Sequence, residues 1–191
     1  MGSKVDGEEI VLGIDPGLAT TGYGVIRNLG RREQNRYVEC GVLTTDPERR
    51  TPQRLHTLFQ EIQELVAEFN PDALAIERVF FSKNAKTAME VSEARGVVLL
   101  AAGTEEIPVY EYTPLQIKRI ITGYGKANKR QVQEMVKRLL DLNDIPKPAD
   151  AADAVGVALC YILDQHSGLR VEPQADPNKN RNRYHTPRHD L

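Results

Sequence analysis

Cysteine is scarce, and its placement builds nothing. Cys40 and Cys160 lie far apart in apolar contexts, with no CxxC spacing and no histidine pairing beside them. That leaves a disulfide framework and a structural zinc site unsupported, and fits buried thiols in a reducing compartment. A surplus of one charge is also lacking. A net charge of −2 and a pI near 6.1 argue against a wholly basic nucleic-acid binder, so any anion-binding surface is local. No apolar run approaches a membrane span and no signal peptide is recognisable, which sets the expectation of a cytoplasmic protein. There are no repeats and no sign of a second domain, and 191 residues suffice for one domain with a real core. Residues 1–9 read as a polar lead with the look of a vector-derived extension. Residues 10–168 carry the apolar patterning of the domain, and 169–191, rich in Arg, Asn, Pro and His, read as a flexible tail.

What is present is organised around Val11-Leu12-Gly13-Ile14-Asp15-Pro16-Gly17. Ile10 to Ile14 read as a buried strand, and Pro16-Gly17 turns the chain just beyond it. Asp15 therefore falls at the end of a core strand, where an unpaired charge is costly. One reading is an Asp that starts a turn by bonding its own backbone. The other is a metal-binding carboxylate, which requires further acids in similarly improbable places.

Gly22 to Arg27 and Tyr37 to Leu43 read as two more strands, with connections short enough for an antiparallel meander. Leu55, Leu58, Phe59, Ile62, Leu65, Val66 and Phe69 mark an amphipathic helix that Asn70-Pro71 ends. Ala73 to Ile76 form a short strand finishing on Glu77. Ala85 to Ala102 read as a helix apolar on most of its circumference, which must be buried inside the domain or against a second copy. Pro108 to Tyr112 suggest a fifth strand. Thr113-Pro114 then read as N-cap and N1 of a helix through Ile121, and Gly123 to Lys126 as a flexible loop. Asn128 opens another helix, and Ala149 to Leu163 form the last. The pattern implies an α/β protein whose mixed five-stranded sheet is flanked by helices.

That final helix supplies two more carboxylates. Asp150 in its first turn is explained by the helix N-terminus alone. Asp153, one turn on and on the same face, sits among alanine, valine and leucine and has no such explanation. Asp15, Glu77, Asp150 and Asp153 together form a set of hard oxygen donors suited to Mg²⁺ or Mn²⁺. Clustered acids of this kind hold two metals roughly 4 Å apart in phosphoryl-transfer sites.

A local basic surface is present as well. Lys118, Arg119, Lys126, Lys129, Arg130, Lys137 and Arg138 face a single acid, Glu134, between positions 118 and 138. Phosphate contacts of this kind release counterions and drive nucleic-acid binding; the alternative is a solvated helix face. Arg78, Lys83 and Lys86 lie on another flank. Phe80 and Phe81 are either core or, in their basic setting, stacking platforms for unpaired bases.

The segments LGIDPG (12–17), TGYGVIR (21–27), AIERVFFSKN (75–84), ARGV (94–97), QIK (116–118) and ADAADA (149–154), in this order, resemble the RuvC family of bacterial Holliday-junction resolvases. The resemblance implies a ribonuclease-H-like fold and assigns Asp15, Glu77, Asp150 and Asp153 to a catalytic site for Mg²⁺, two ions per site, with Mn²⁺ able to substitute. It singles out Lys118 and Lys129 as DNA-contacting lysines and Phe80 as the aromatic at the junction centre. Arg119, Lys126 and Arg130 are carried as DNA contacts by the basic cluster. It also implies a homodimer that nicks two like-polarity strands of a four-way DNA junction in recombination and repair, in partnership with a branch-migration helicase and without a membrane. Three alternatives compete with this expectation. A non-catalytic junction binder is disfavoured by the four intact acids, and an actin-like ATPase by the absence of room for a second lobe. A ribonuclease-H-like nuclease for another DNA or RNA structure is the runner-up.

Overall fold

The computed structural model describes residues 8–30, 33–78 and 85–167, with Ala85 and Lys86 described for their backbone alone. Five strands form one sheet: β1 (Glu9–Asp15), β2 (Thr20–Asn28), β3 (Arg36–Thr44), β4 (Ala73–Glu77) and β5 (Val109–Tyr112). Their order is β3-β2-β1-β4-β5. The three N-terminal strands make an antiparallel meander, while β1–β4 and β4–β5 pair in parallel. The five helices are α1 (Thr51–Phe69), α2 (Ala85–Thr104), α3 (Pro114–Thr122), α4 (Lys129–Leu139) and α5 (Ala149–Ser167).

Successive side chains of a strand point to opposite faces, and that alternation sorts the core into two layers. Leu12, Ile14, Val25, Leu74 and Ile76 pack against α1 and α2. Val11, Ile26, Ala73, Ala75 and Tyr112 pack against α3, α4 and α5. Asp15 continues the Val11-Gly13 series and Glu77 the Ala73-Ala75 series, so both carboxylates end on the face that α5 covers.

The helix boundaries follow the turn chemistry. Asn70 adopts the left-handed conformation (φ 44°) and its N–H donates to the Val66 carbonyl at 2.9 Å, closing α1 before Pro71. Thr113 with Gln116, and Asn128 with Gln131, form reciprocal capping boxes at the starts of α3 and α4.

Three expectations are corrected. The polar lead gives way to structure at Glu9, whose carboxylate accepts from Tyr161 at 2.6 Å and from Asn28 at 3.2 Å. Gly123 to Lys126 form a closed turn instead of a loose loop. Gly123 caps α3 at φ 75°, Thr122 Oγ1 bridges the Lys118 and Tyr124 carbonyls, and the Ala127 N–H returns to the Tyr124 carbonyl. Cys160 is fully buried, but Cys40 is only half-buried because β3 is the sheet edge. Helix α2 turns Ala94, Val98 and Ala101 to the core, whereas Met89 and Leu100 are 66% and 59% exposed in the single chain. Phe80, Phe81, Lys83 and the segment 169–191 lie outside the described residues. Among the described residues no helix is long and apolar enough to cross a membrane.

Candidate metal centre and nucleic-acid interface

Three glycines set the distance between α5 and the sheet. Gly13 and Gly24 are paired across β1 and β2, as are Asp15 and Gly22. A Cβ on Gly13 would come within 2.2 Å of the Ala154 carbonyl oxygen, and one on Gly22 within 2.1 Å of the Asp150 carbonyl oxygen. At Gly24 it would meet the Val155 backbone nitrogen at 2.7 Å. The helix lies directly on a strip of bare backbone, closer than any side chain would permit. Its first turns are thereby brought down onto the end of β1.

That end is fixed from the other side. The Thr21 hydroxyl donates to the Gly17 carbonyl at 2.6 Å, and the Gly17 N–H donates back to Thr21 Oγ1 at 3.3 Å. The Pro16-Gly17 turn is thus tied to the start of β2, and Asp15 is held where the strand leaves the sheet. Oxygen atoms of Asp15, Asp150 and Asp153 all lie within 4.8 Å of one another. Glu77 falls outside that spacing. It faces the same space from β4, one strand over, and lines a cleft of about 250 Å³ with Lys118, Lys129, Gln133, Asp153 and Gly156.

The electrostatics are those of acids pressed together. Burial, then the charges of Glu77, Asp153 and Asp150, push Asp15 up to about 7 from 3.8, against an opposing pull from Lys129. Burial and Asp153 also raise Glu77, offset by Lys129 and Lys118. Lys129, at the first turn of α4, is bonded to the Asp153 carboxylate, and that contact holds its ammonium above the ordinary lysine range. Lys129 is the cation bonded within the cluster. The donor set is all carboxylate oxygen, tightly spaced and half-buried, and fits a hard divalent cation.

The remaining basic residues are distributed around this cleft. Lys118 is half-buried on α3 beside Glu77, while Arg119 and Lys126 are exposed. Arg130 is engaged with Glu134 one turn on, at 2.5 Å. The described structure therefore brings Lys118 and Lys129 to the carboxylates, whereas Arg119, Lys126 and Arg130 are exposed and do not line the cleft.

One network escaped the sequence reading. Glu111 on β5, with its side chain 6% exposed, is bonded by Arg95 of α2 and lies 3.9 Å from Arg78, the residue after Glu77. Its signal was a lone acid in the apolar strand VYEY, opposite an arginine in the alanine-rich α2.

Comparison with known proteins identifies the family. The family model "Crossover junction endodeoxyribonuclease RuvC" matches residues 11–161. The chain belongs to the RuvC family. A relative from Alkaliphilus metalliredigens, a crossover junction endodeoxyribonuclease RuvC, is 49% identical over 159 residues, covering 83% of this chain and 94% of the relative. The Thermus thermophilus RuvC structure superposes with a TM-score of 0.79 at 34% identity, covering 86% of this chain and 99% of that one. The T. thermophilus RuvC structure in complex with a Holliday junction substrate gives a TM-score of 0.81 at 33% identity, with the same coverage. The fold is the one the family resemblance implies, a mixed five-stranded sheet flanked by helices.

Proposed function

We propose that this chain is a divalent-metal-dependent endodeoxyribonuclease that resolves Holliday junctions by symmetric paired nicks in two strands of like polarity. The observation that carries the reading is the convergence of Asp15, Asp150 and Asp153 within 4.8 Å, in a chain that belongs to the RuvC family. Asp15, Asp150 and Asp153, with Glu77 across the cleft, would hold Mg²⁺, two ions per site, with Mn²⁺ as a substitute. When bound, such ions supply an activated water and stabilise charge on the leaving oxygen of a phosphodiester. The protein's own part is positional. The glycine strip and the Gly17–Thr21 turn fix the carboxylates, and Lys118 and Lys129 hold the phosphate backbone over them. Phe80, Arg119, Lys126 and Arg130 complete the proposed DNA contacts.

Paired nicks need two such sites, and we assign the homodimer interface to the exposed stripe of α2. Met89, Ser92, Gly96, Leu100 and Gly103 recur at helical spacing on its solvent side. Small and apolar residues on one unpartnered face suit the same patch of a second copy. Cooperation with a branch-migration helicase and a cytoplasmic location belong to the same proposal. The test is cleavage of a synthetic four-way junction with mapped nick sites, with and without Mg²⁺, beside duplex and flap substrates. Symmetric metal-dependent nicks in the junction alone support the reading; equal cutting of flaps or duplex overturns it.

A further inference from the structure

The Glu111 network carries a charge imbalance at a particular place. Two guanidiniums, Arg78 and Arg95, address one buried carboxylate. Arg95 bonds Glu111 Oε1 directly and its side chain is 25% exposed, so it is the partner that neutralises the acid. Arg78 reaches the other oxygen only at 3.9 Å and its side chain is 61% exposed. The surplus positive charge therefore resides on Arg78. Burial and the charge of Arg78 both push Arg95 below its ordinary range, as expected of two cations crowded on one acid.

The position of Arg78 is set by the sheet. It follows Glu77 at the end of β4, and its N–H donates to the Tyr112 carbonyl at 2.8 Å, which continues the pairing with β5. Glu77 faces the layer of α3, α4 and α5, whereas Arg78 meets Glu111 and Arg95 on the α2 side. Lys118 and Lys129 thus border the carboxylates from one face of the sheet, and Arg78 borders them from the other. A guanidinium presents a planar fork of donors suited to phosphate oxygens, and one already restrained by a carboxylate loses less freedom on binding.

We propose that Arg78, steadied by Glu111 and Arg95, contacts a phosphodiester of the DNA backbone on the α2 side of Glu77, opposite Lys118 and Lys129. The DNA would then be held on both flanks of the reacting phosphate. This rests on the nuclease reading above. No chemical step is assigned to Arg78; its role is binding.

The test is the salt dependence of binding to a fluorescent synthetic four-way junction, measured without divalent metal so that no strand is cut. Full-length Arg78→Gln, Arg78→Lys and Lys118→Gln are compared with the unmodified chain. Gln or Lys at 78 keeps the main-chain bond to Tyr112, and Arg95 continues to neutralise Glu111, so the variants should fold; thermal melts check this. Loss of one phosphate contact makes the slope of log Kobs against log salt shallower by about 0.9. That loss is expected for Arg78→Gln and Lys118→Gln, whereas Arg78→Lys keeps the charge and most of the slope. An unchanged slope in Arg78→Gln beside a shallower one in Lys118→Gln overturns this inference and leaves the wider reading standing. If neither slope moves, the phosphate surface of the proposed function fails, and this inference fails with it.

Discussion

Gly22→Ala tests the geometric core of the argument, because its single added methyl group meets backbone. The new Cβ would lie 2.1 Å from the Asp150 carbonyl oxygen and 2.4 Å from its carbon. A real Cβ contact is not shorter than 3.0 Å, so α5 and the sheet must separate by about 0.9 Å at the turn that carries Asp150 and precedes Asp153. Overpacking of this kind costs about 1–3 kcal/mol. For a chain of this size that corresponds to a fall of roughly 2–12 °C in Tm. The larger effect is on the site. A displacement near 1 Å between Asp15 on β1 and the α5 acids lowers a positioned reaction on the order of 100-fold. The assay is junction cleavage under single-turnover conditions, with junction binding measured in parallel and expected to hold. Gly22→Ala that cleaves like the unmodified chain and melts at the same temperature would refute the claim that the glycine strip sets the site.

Asp15→Asn, Glu77→Gln and Asp153→Asn should each abolish nicking with junction binding largely retained; joint loss of binding and folding would mark a structural acid instead. Asp15 is raised from 3.8 to about 7, so the stability it contributes is full below the unfolded value and is lost as pH rises toward 7. Metal-free chain should therefore melt higher at about pH 5 than at about pH 8 by an amount that Asp15→Asn removes, and the same pH difference in that variant would exclude Asp15 as its source. Leu100→Glu, on the exposed stripe of α2, should give a folded monomer in sedimentation, whereas Val98→Glu, fully buried, should not fold; a dimeric Leu100→Glu would move the interface elsewhere. Lys129→Gln should weaken junction binding and also leave Asp153 without its cation, so its effect on metal affinity, read by calorimetry, should exceed that of Lys118→Gln.

The elements were legible wherever local chemistry decides them. Asp15 and Glu77 could be placed at strand ends because each closes an apolar run, and Thr113 could be read as a cap because Pro114 follows it at N1. The convergence of Asp15 with Asp150 and Asp153 was not legible from periodicity. It depends on contacts more than 130 positions apart, and the family resemblance supplied the grouping. Which face of α2 meets the domain was not legible, because alanine and glycine carry no strong preference for core or solvent. Composition makes most of its circumference apolar, and packing of α1 and the sheet selects Ala94, Val98 and Ala101 and leaves Met89 and Leu100 outside. The closed turn after α3 escaped because its order comes from the Thr122 hydroxyl contacting carbonyls four residues back and two ahead, a local side-chain choice that glycine content does not reveal.

The same sheet alternation that builds the core also apportions the charge. Residues at odd positions of β1 and β4 deliver Asp15 and Glu77 to the α5 side, where Asp150, Asp153 and Lys129 wait. The following residue, Arg78, falls by the same alternation to the α2 side, where Glu111 and Arg95 receive it. Each face of the sheet thus carries its own acids with their cations, Lys129 on Asp153 on one side and Arg95 on Glu111 on the other. A one-residue slip of β4 against β1 would exchange Glu77 for Arg78 at the carboxylate cluster. Register is therefore under electrostatic as well as hydrophobic control at this end of the sheet. The parallel pairing Ile14↔Ile76 and Ile76↔Glu111 is the alignment that satisfies both.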